Sequence, residues 1–235
     1  MAPIYSAWQD LIADPALDRR FASEFIVQPL GILITTTFFG TEEEWEASGI
    51  PERIPGDGSA SVVNDWLDGL VHEAGNAALY LGDIPSWFYS KALTFAEEDL
   101  LPQDSIQSLF EYIDDATKGT LVWFIIFHLT GGAVNDVPLS SAAYPHRDKI
   151  MIYESYVVGL GAVPDTATEF LEGVHAEVKK GAGPGANSTY AGYVDPSLGV
   201  GEEVYWEGQA PRLRSVKGTW DPEEVFWNPQ AVRPA

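Results

Sequence analysis

Cysteine is absent from the 235-residue sequence. That excludes disulfides, thiolate metal ligands, cysteine nucleophiles and a cysteinyl link to a cofactor. It leaves the redox compartment open. Basic residues are scarce: 13 Lys and Arg stand against 35 Asp and Glu, for a formal net charge of -22. No cationic surface large enough to displace counterions from phosphates can be built from so few, so no nucleic-acid partner is expected. Docking on anionic lipid is disfavoured for the same reason, and no membrane partner is expected. Long apolar runs are also missing. The most apolar stretch, Leu121 to Leu129, is too short to span a bilayer and contains His128. The first ten residues show neither a basic n-region nor an apolar h-region, so no secretory signal is expected in this chain. Walker A, H-E-x-x-H and G-x-S-x-G patterns are absent. His72, His128, His146 and His175 lack ligand spacing, so no metal site is expected.

Hydrophobic residues make up 46% and charged residues 20%, a globular composition for one large domain or two small ones. The acid is uneven. Residues 1–118 hold 21 acids and 5 bases, and residues 119–235 hold 14 and 8. A solvated scaffold side early in the chain, with the site residues later, fits that asymmetry.

Periodicity supplies the elements. Ser6 to Arg20 reads as a helix through Trp8, Leu11, Ile12 and Leu17. Phe21 to Val27 and Gly31 to Phe39 read as strands. Thr41 followed by three glutamates starts a helix, Pro51 to Gly58 is a loop, and Ser61 to Ala78 returns to helical spacing. Trp87 to Phe95 predicts a strand, Gln103 to Ala116 a helix, and Leu121 to Leu129 a central strand. Lys149 to Val158 follows as a strand and Asp165 to Lys180 as a capped helix with a basic end. Gly181 to Gly185, with three Gly and one Pro, predicts a linker. A short strand at Tyr190 to Val194 and a helix at Glu202 to Lys217 complete the chain. Loosely alternating elements with several adjacent strands predict α+β with an antiparallel sheet covered by helices.

Three segments carry the chemistry. Trp123 to Asn135 is a hydrophobic strand that closes on Gly131-Gly132. Ala143-Tyr144-Pro145-His146-Arg147-Asp148 leads into Tyr153-Glu154-Ser155-Tyr156. Tyr190 to Pro234 contains Tyr190-Ala191-Gly192-Tyr193, Arg212-Leu213, Lys217, Asp221-Pro222, Phe226 and Asn228-Pro229-Gln230. The third segment resembles the C-terminal signature of berberine-bridge-enzyme-like, FAD-linked oxidases. The first two resemble that family's substrate domain, where a Gly-Gly strand end precedes a Y-P-H-R-D strand. The pattern is most similar to fungal carbohydrate oxidases of the glucooligosaccharide type.

The resemblance implies a substrate-binding domain over 1–183. It implies that 184–235 is a C-terminal strand-helix segment returning to an FAD domain not included in the chain. It implies oxidation of an alcohol, sugar or secondary metabolite, with hydride passing to flavin and O2 as acceptor. Tyr193 takes the place of the family's base, and Glu154 joins it as proton acceptor. A free tyrosine has a pKa of about 10, so the role requires a neighbour or the flavin to lower it. Read from the residues alone, Tyr193 equally suits a sheet edge, and Glu154 suits an outward strand face. Trp123, Ile126 and His128 fall at substrate-binding positions. His128 stands where an aspartate is usual and Ile126 where a glutamine is usual, which makes the pocket more apolar. Each of Trp123 and His128 also has a plain core reading. Tyr190, Asn228 and Gln230 match the tail that folds back beside the flavin, while His146 and Arg147 read as structural, pairing with nearby acids.

The family's pyrophosphate loop and flavin tethers precede the region seen here. The resemblance therefore implies that this chain alone binds FAD weakly or not at all and is inactive alone. The partners implied are a small-molecule substrate and a separate flavin-domain polypeptide. An alternative from another class is a non-catalytic small-molecule-binding or association remnant. Relatives are usually extracellular, where the Asn187-Ser188-Thr189 sequon would matter.

Overall fold

Strict alternation in Met151 to Gly159 sets the geometry. Met151, Tyr153, Ser155 and Val157 are buried, while Ile152, Glu154, Tyr156 and Val158 point to the other face. The computed structural model describes residues 1–78, 86–199 and 201–235, with the side chains of 73–78 left aside. Its strands are β1 (Phe21–Gln28), β2 (Gly31–Phe38), β3 (Trp87–Phe95), β4 (Val122–Leu129) and β5 (Met151–Gly159). They form one sheet in the order β2-β1-β4-β5-β3 with every neighbouring pair antiparallel. The apolar strand β4 lies at the centre, as its composition predicts.

Helices α1 (Ala2–Ile12), α4 (Gln103–Asp115) and α5 (Asp165–Gly181) cover one face. Between them and the sheet sits the main core, built around Tyr5, Trp8, Phe25, Phe110, Phe127 and Phe170. Rings there meet edge-on or tilted, as at Tyr5–Phe25 (5.1 Å between centroids) and Tyr5–Phe127 (4.6 Å). The other face carries a smaller apolar cluster of Ile26, Phe124 and Ile126. Helices α2 (Glu42–Ala47), α3 (Trp66–Ala78), α6 (Glu202–Trp206) and α7 (Ala210–Trp220) complete the described elements. The fold is α+β, as predicted from the sequence.

Thr41 closes a capping box with Glu44 at the start of α2, as its spacing predicts. Other boundaries move. Helix α1 begins at Ala2 and stops at Ile12 instead of running from Ser6 to Arg20. Asp14 and Asp18 accept bonds from the backbone of Ala16 and Arg20, and these turns replace further helix. Helix α3 starts at Trp66, where Asp65 accepts from the amides of Leu67 and Asp68. The cap expected on α5 is not made by a side chain, since Pro164 precedes it, but Lys179 and Lys180 close its last turn. The Gly181–Gly185 segment is no free linker. Gly181 ends α5, and the amides of Gly183 and Gly185 bond the Asp99 carbonyl and carboxylate.

The strand expected at Tyr190 to Val194 is a turn closed by the Tyr193 amide on the Tyr190 carbonyl. The expected helix at Glu202 to Lys217 breaks into α6 and α7 at Glu207, which takes a left-handed backbone (φ 45°). Residues 188–197 run along the free edge of β3. Thr94 bonds Ser188 through the backbone, Ser90 donates to the Val194 carbonyl, and buried Lys91 reaches Asp195 at 3.1 Å and Ser197 at 2.7 Å. The sheet edge is thereby blunted. The same contacts carry Tyr190 and Tyr193 to the face opposite the helices. Among the described residues no helix is long and apolar enough to cross a membrane, and no group of His, Asp or Glu is arranged to hold a metal.

Candidate functional site

Three strands and one turn build the site. Register places Glu24 of β1 opposite His128 of β4. It places Ile126 opposite Glu154 of β5 and His128 opposite Ile152. Alternation then aims Glu24, His128 and Glu154 at the face that the helices leave open. The His128 ring lies between the two acids. Its Nδ1 is 3.0 Å from Glu24 Oε1, and its Nε2 is 3.3 Å from Glu154 Oε2. Tyr193 stacks near His128 with ring centroids 6.3 Å apart and an interplanar angle of 16°. The Glu154 carboxylate lies close enough to Tyr193 for its charge to act on the phenol. Tyr190 meets Tyr193 edge-on at 5.4 Å.

Electrostatics follow from that arrangement. Burial by itself depresses the His128 pKa, yet hydrogen bonds and charge from Glu154 and Glu24 outweigh it and raise the value to about 9. Glu24 is held below its usual range, chiefly by its hydrogen bond to His128. Tyr193 is pushed up, first by burial and then by the Glu154 charge. This chain's own groups therefore keep Tyr193 protonated. The lowering that a tyrosine base requires does not come from them.

Two cavities flank Tyr193. One of about 420 Å³ is walled by His128, Tyr144, Arg147, Ile152 and Tyr190. The other, of about 400 Å³, is walled by Phe88, Ser90, Glu154, Tyr156 and Val158. Both are suited in size to a small molecule. Aromatic and aliphatic side chains dominate the walls, with the acid-histidine cluster as the polar centre.

The expected site residues divide. Tyr193, Glu154 and His128 come together. Ile126 lies on the same face in the apolar floor with Ile26 and Phe124. Trp123 is corrected: it is 7% exposed, on the helix-covered face, packed edge-on against Phe170. Strand alternation gives the site-face position to Phe124 instead, whose ring lies 5.0 Å from Tyr156. Tyr190 lines the first cavity. Gln230 anchors on the Asp195 carbonyl through its amide nitrogen, and its Oε1 is buried without a hydrogen-bond partner among the described residues. Asn228 is exposed and caps the Gln230 amide. Buried His146 approaches the Glu207 carboxylate at 3.8 Å and holds it down to about 2. Among the described residues Arg147 pairs with no acid; it donates to the Val134 carbonyl and lies 4.8 Å over the Tyr144 ring.

Sequence reasoning passed over Glu24 and Phe124. Counting by twos from Glu154 and His128 along their strands finds Phe124, because it sits four residues before His128 on one face. Glu24 had no local signal, since its pairing with His128 spans 104 residues.

A five-stranded antiparallel sheet covered by helices matches the substrate-binding domain of flavin-linked oxidases. The family described as "Berberine and berberine like" matches residues 189–233. The FAD-linked oxidoreductase sorD of Penicillium rubens is 28% identical over 240 residues, covering 99% of this chain and 50% of that protein. The xylooligosaccharide oxidase of Thermothelomyces thermophilus is 36% identical over 187 residues, covering 73% of this chain and 37% of its own length. Among solved structures, the xylooligosaccharide oxidase from Myceliophthora thermophila C1 in complex with xylobiose superposes with a TM-score of 0.82 at 28% identity. That match covers all of this chain and 52% of the oxidase. The chain thus spans about half the length of the first of these relatives. It belongs to the berberine-bridge-enzyme-like FAD-linked oxidases, and corresponds to the C-terminal half of the fungal carbohydrate-oxidase type.

Proposed function

We propose that this chain supplies the substrate face of an FAD-linked oxidase that converts an alcohol, a sugar or a secondary metabolite to the carbonyl. The observation that carries the reading is the Tyr193–Glu154–His128–Glu24 cluster between two small-molecule cavities. FAD, when bound, supplies the hydride acceptor, which O2 regenerates. Tyr190 and Gln230 are the residues of this chain that would hold it. The buried, unpartnered Gln230 Oε1 is an acceptor suited to a flavin ring donor. Asn228 supports them by fixing the Gln230 backbone.

The chain's own part is proton handling. The substrate hydroxyl gives its proton to Tyr193 as the hydride leaves carbon. The Tyr193 hydroxyl proton passes in turn to the neighbouring Glu154 carboxylate, whose charge acts on the phenol. Tyrosinate is therefore never required as a free state, which fits a phenol pushed above its ordinary pKa. His128 holds Glu154 in place, and Phe124, Ile126 and Ile26 form an apolar cluster on the same sheet face. That cluster offers a sugar no hydrogen-bonding groups, so a substrate with an apolar body suits this face better than an oligosaccharide.

Binding of FAD by the 235 residues alone is weak, because the pyrophosphate and adenine contacts lie elsewhere in such oxidases. The chain alone is accordingly inactive. Glu154→Gln in an FAD-loaded assembly containing this chain tests the reading. Flavin reduction slows about 100-fold or more, and an unchanged rate removes Glu154 from the proton path.

A further inference from the structure

A neutral imidazole has one N–H and one lone pair, whereas an ionised carboxylate only accepts. His128 has a carboxylate oxygen on each ring nitrogen, at 3.0 Å and 3.3 Å. Both contacts are attractive only when the ring carries two protons, or when one of the acids does. Glu24 is the more exposed acid, with 45% of its side chain accessible against 14% for Glu154, so water helps keep it ionised. Thr35 of β2 donates to the other Glu24 oxygen at 3.2 Å, which fixes the carboxylate towards the ring.

We propose that Glu24 is a positioning residue: it holds His128 as an imidazolium, and the imidazolium fixes the Glu154 carboxylate as the proton acceptor beside Tyr193. The claim rests on the Tyr193–Glu154 reading and extends it by one shell. The groups facing His128 are Glu24 from β1, Glu154 from β5, and Tyr193 and Tyr190 from the C-terminal turn. Arg147 lines the same cavity. An imidazolium already carrying both protons cannot itself accept the substrate proton. Its work is to orient Glu154, to balance one of the two acid charges, and to present a flat ring to Tyr193.

The test is a histidine ring titration by NMR on the full chain, comparing the native sequence with Glu24→Gln and Glu24→Asp. The expected His128 midpoint in the native chain is about 9. Glu24→Gln keeps the side-chain shape and removes the charge, so the midpoint falls by at least about one pH unit, a tenfold change in the protonation ratio. Glu24→Asp restores part of the shift. A merely structural Glu24 would leave the titration unmoved. A native midpoint near the ordinary histidine value, or one that Glu24→Gln leaves in place, overturns the proposal. The native titration decides the matter even if Glu24→Gln unfolds. Failure of the Tyr193–Glu154 reading shows instead as turnover in Tyr193→Phe, which this titration does not read.

Discussion

Replacing His128 by Gln removes the cation between Glu24 and Glu154, and its cost depends on pH. The folded state raises the His128 pKa from 6.5 to about 9. At about 1.4 kcal/mol per pH unit that corresponds to roughly 3 kcal/mol. Water around the half-exposed Glu24 screens this to about 2 kcal/mol. A group raised on folding stabilises fully below its unfolded pKa, and the contribution disappears as pH climbs through about 9. Glu24 has the opposite sense. Its lowered pKa contributes above the ordinary glutamate range and is lost as acid protonates it. The difference between native and His128→Gln chains is therefore widest from about pH 5 to 6.5 and shrinks towards pH 10. Urea denaturation at pH 6 and at pH 10, with matched m-values, measures it. A gap of about 2 kcal/mol at pH 6 that closes at pH 10 is expected. An equal gap at both values refutes the charged-ring reasoning.

Three further outcomes are expected. Gly159→Ala places a Cβ 1.8 Å from the Ala162 carbonyl oxygen and 2.5 Å from its carbon, a backbone clash that lowers stability by about 2 kcal/mol or more in thermal unfolding. Lys91→Met strands the buried Asp195 carboxylate and costs about 3 kcal/mol, with the 188–197 segment losing hydrogen-exchange protection first. Flavin absorbance on the purified chain stays below stoichiometric after incubation with FAD; a stoichiometric yellow protein contradicts the assignment of the main binding contacts elsewhere.

Local rules made most of the sheet legible. Trp87 to Phe95 and Leu121 to Leu129 read as strands from composition and alternation, and they form β3 and β4 within one residue. Tyr190 to Val194 did not follow, because its aromatic pattern fits a strand while Gly192 and Pro196 frame a turn. Its place on the edge of β3 comes from Ser188, Val194 and Asp195, contacts about 100 residues apart in sequence. Trp123 shows how sharply one residue matters. Shifting by one along a strand exchanges the faces, so the larger aromatic entered the main core and Phe124 points to the opposite face. Tyr193, Glu154 and His128 were singled out by resemblance to a family pattern, and the fold brings the three together. Glu24 was not, because nothing near it in the chain announces a partner in β4.

The most direct measurement is anaerobic flavin reduction by substrate in an FAD-loaded assembly containing this chain, native against Tyr193→Phe. The phenol sits beside Glu154 and between the two cavities. Its loss slows reduction by about 100-fold to 10,000-fold, the range for removing a positioned proton-transfer group. Reduction at the native rate in Tyr193→Phe would contradict the account.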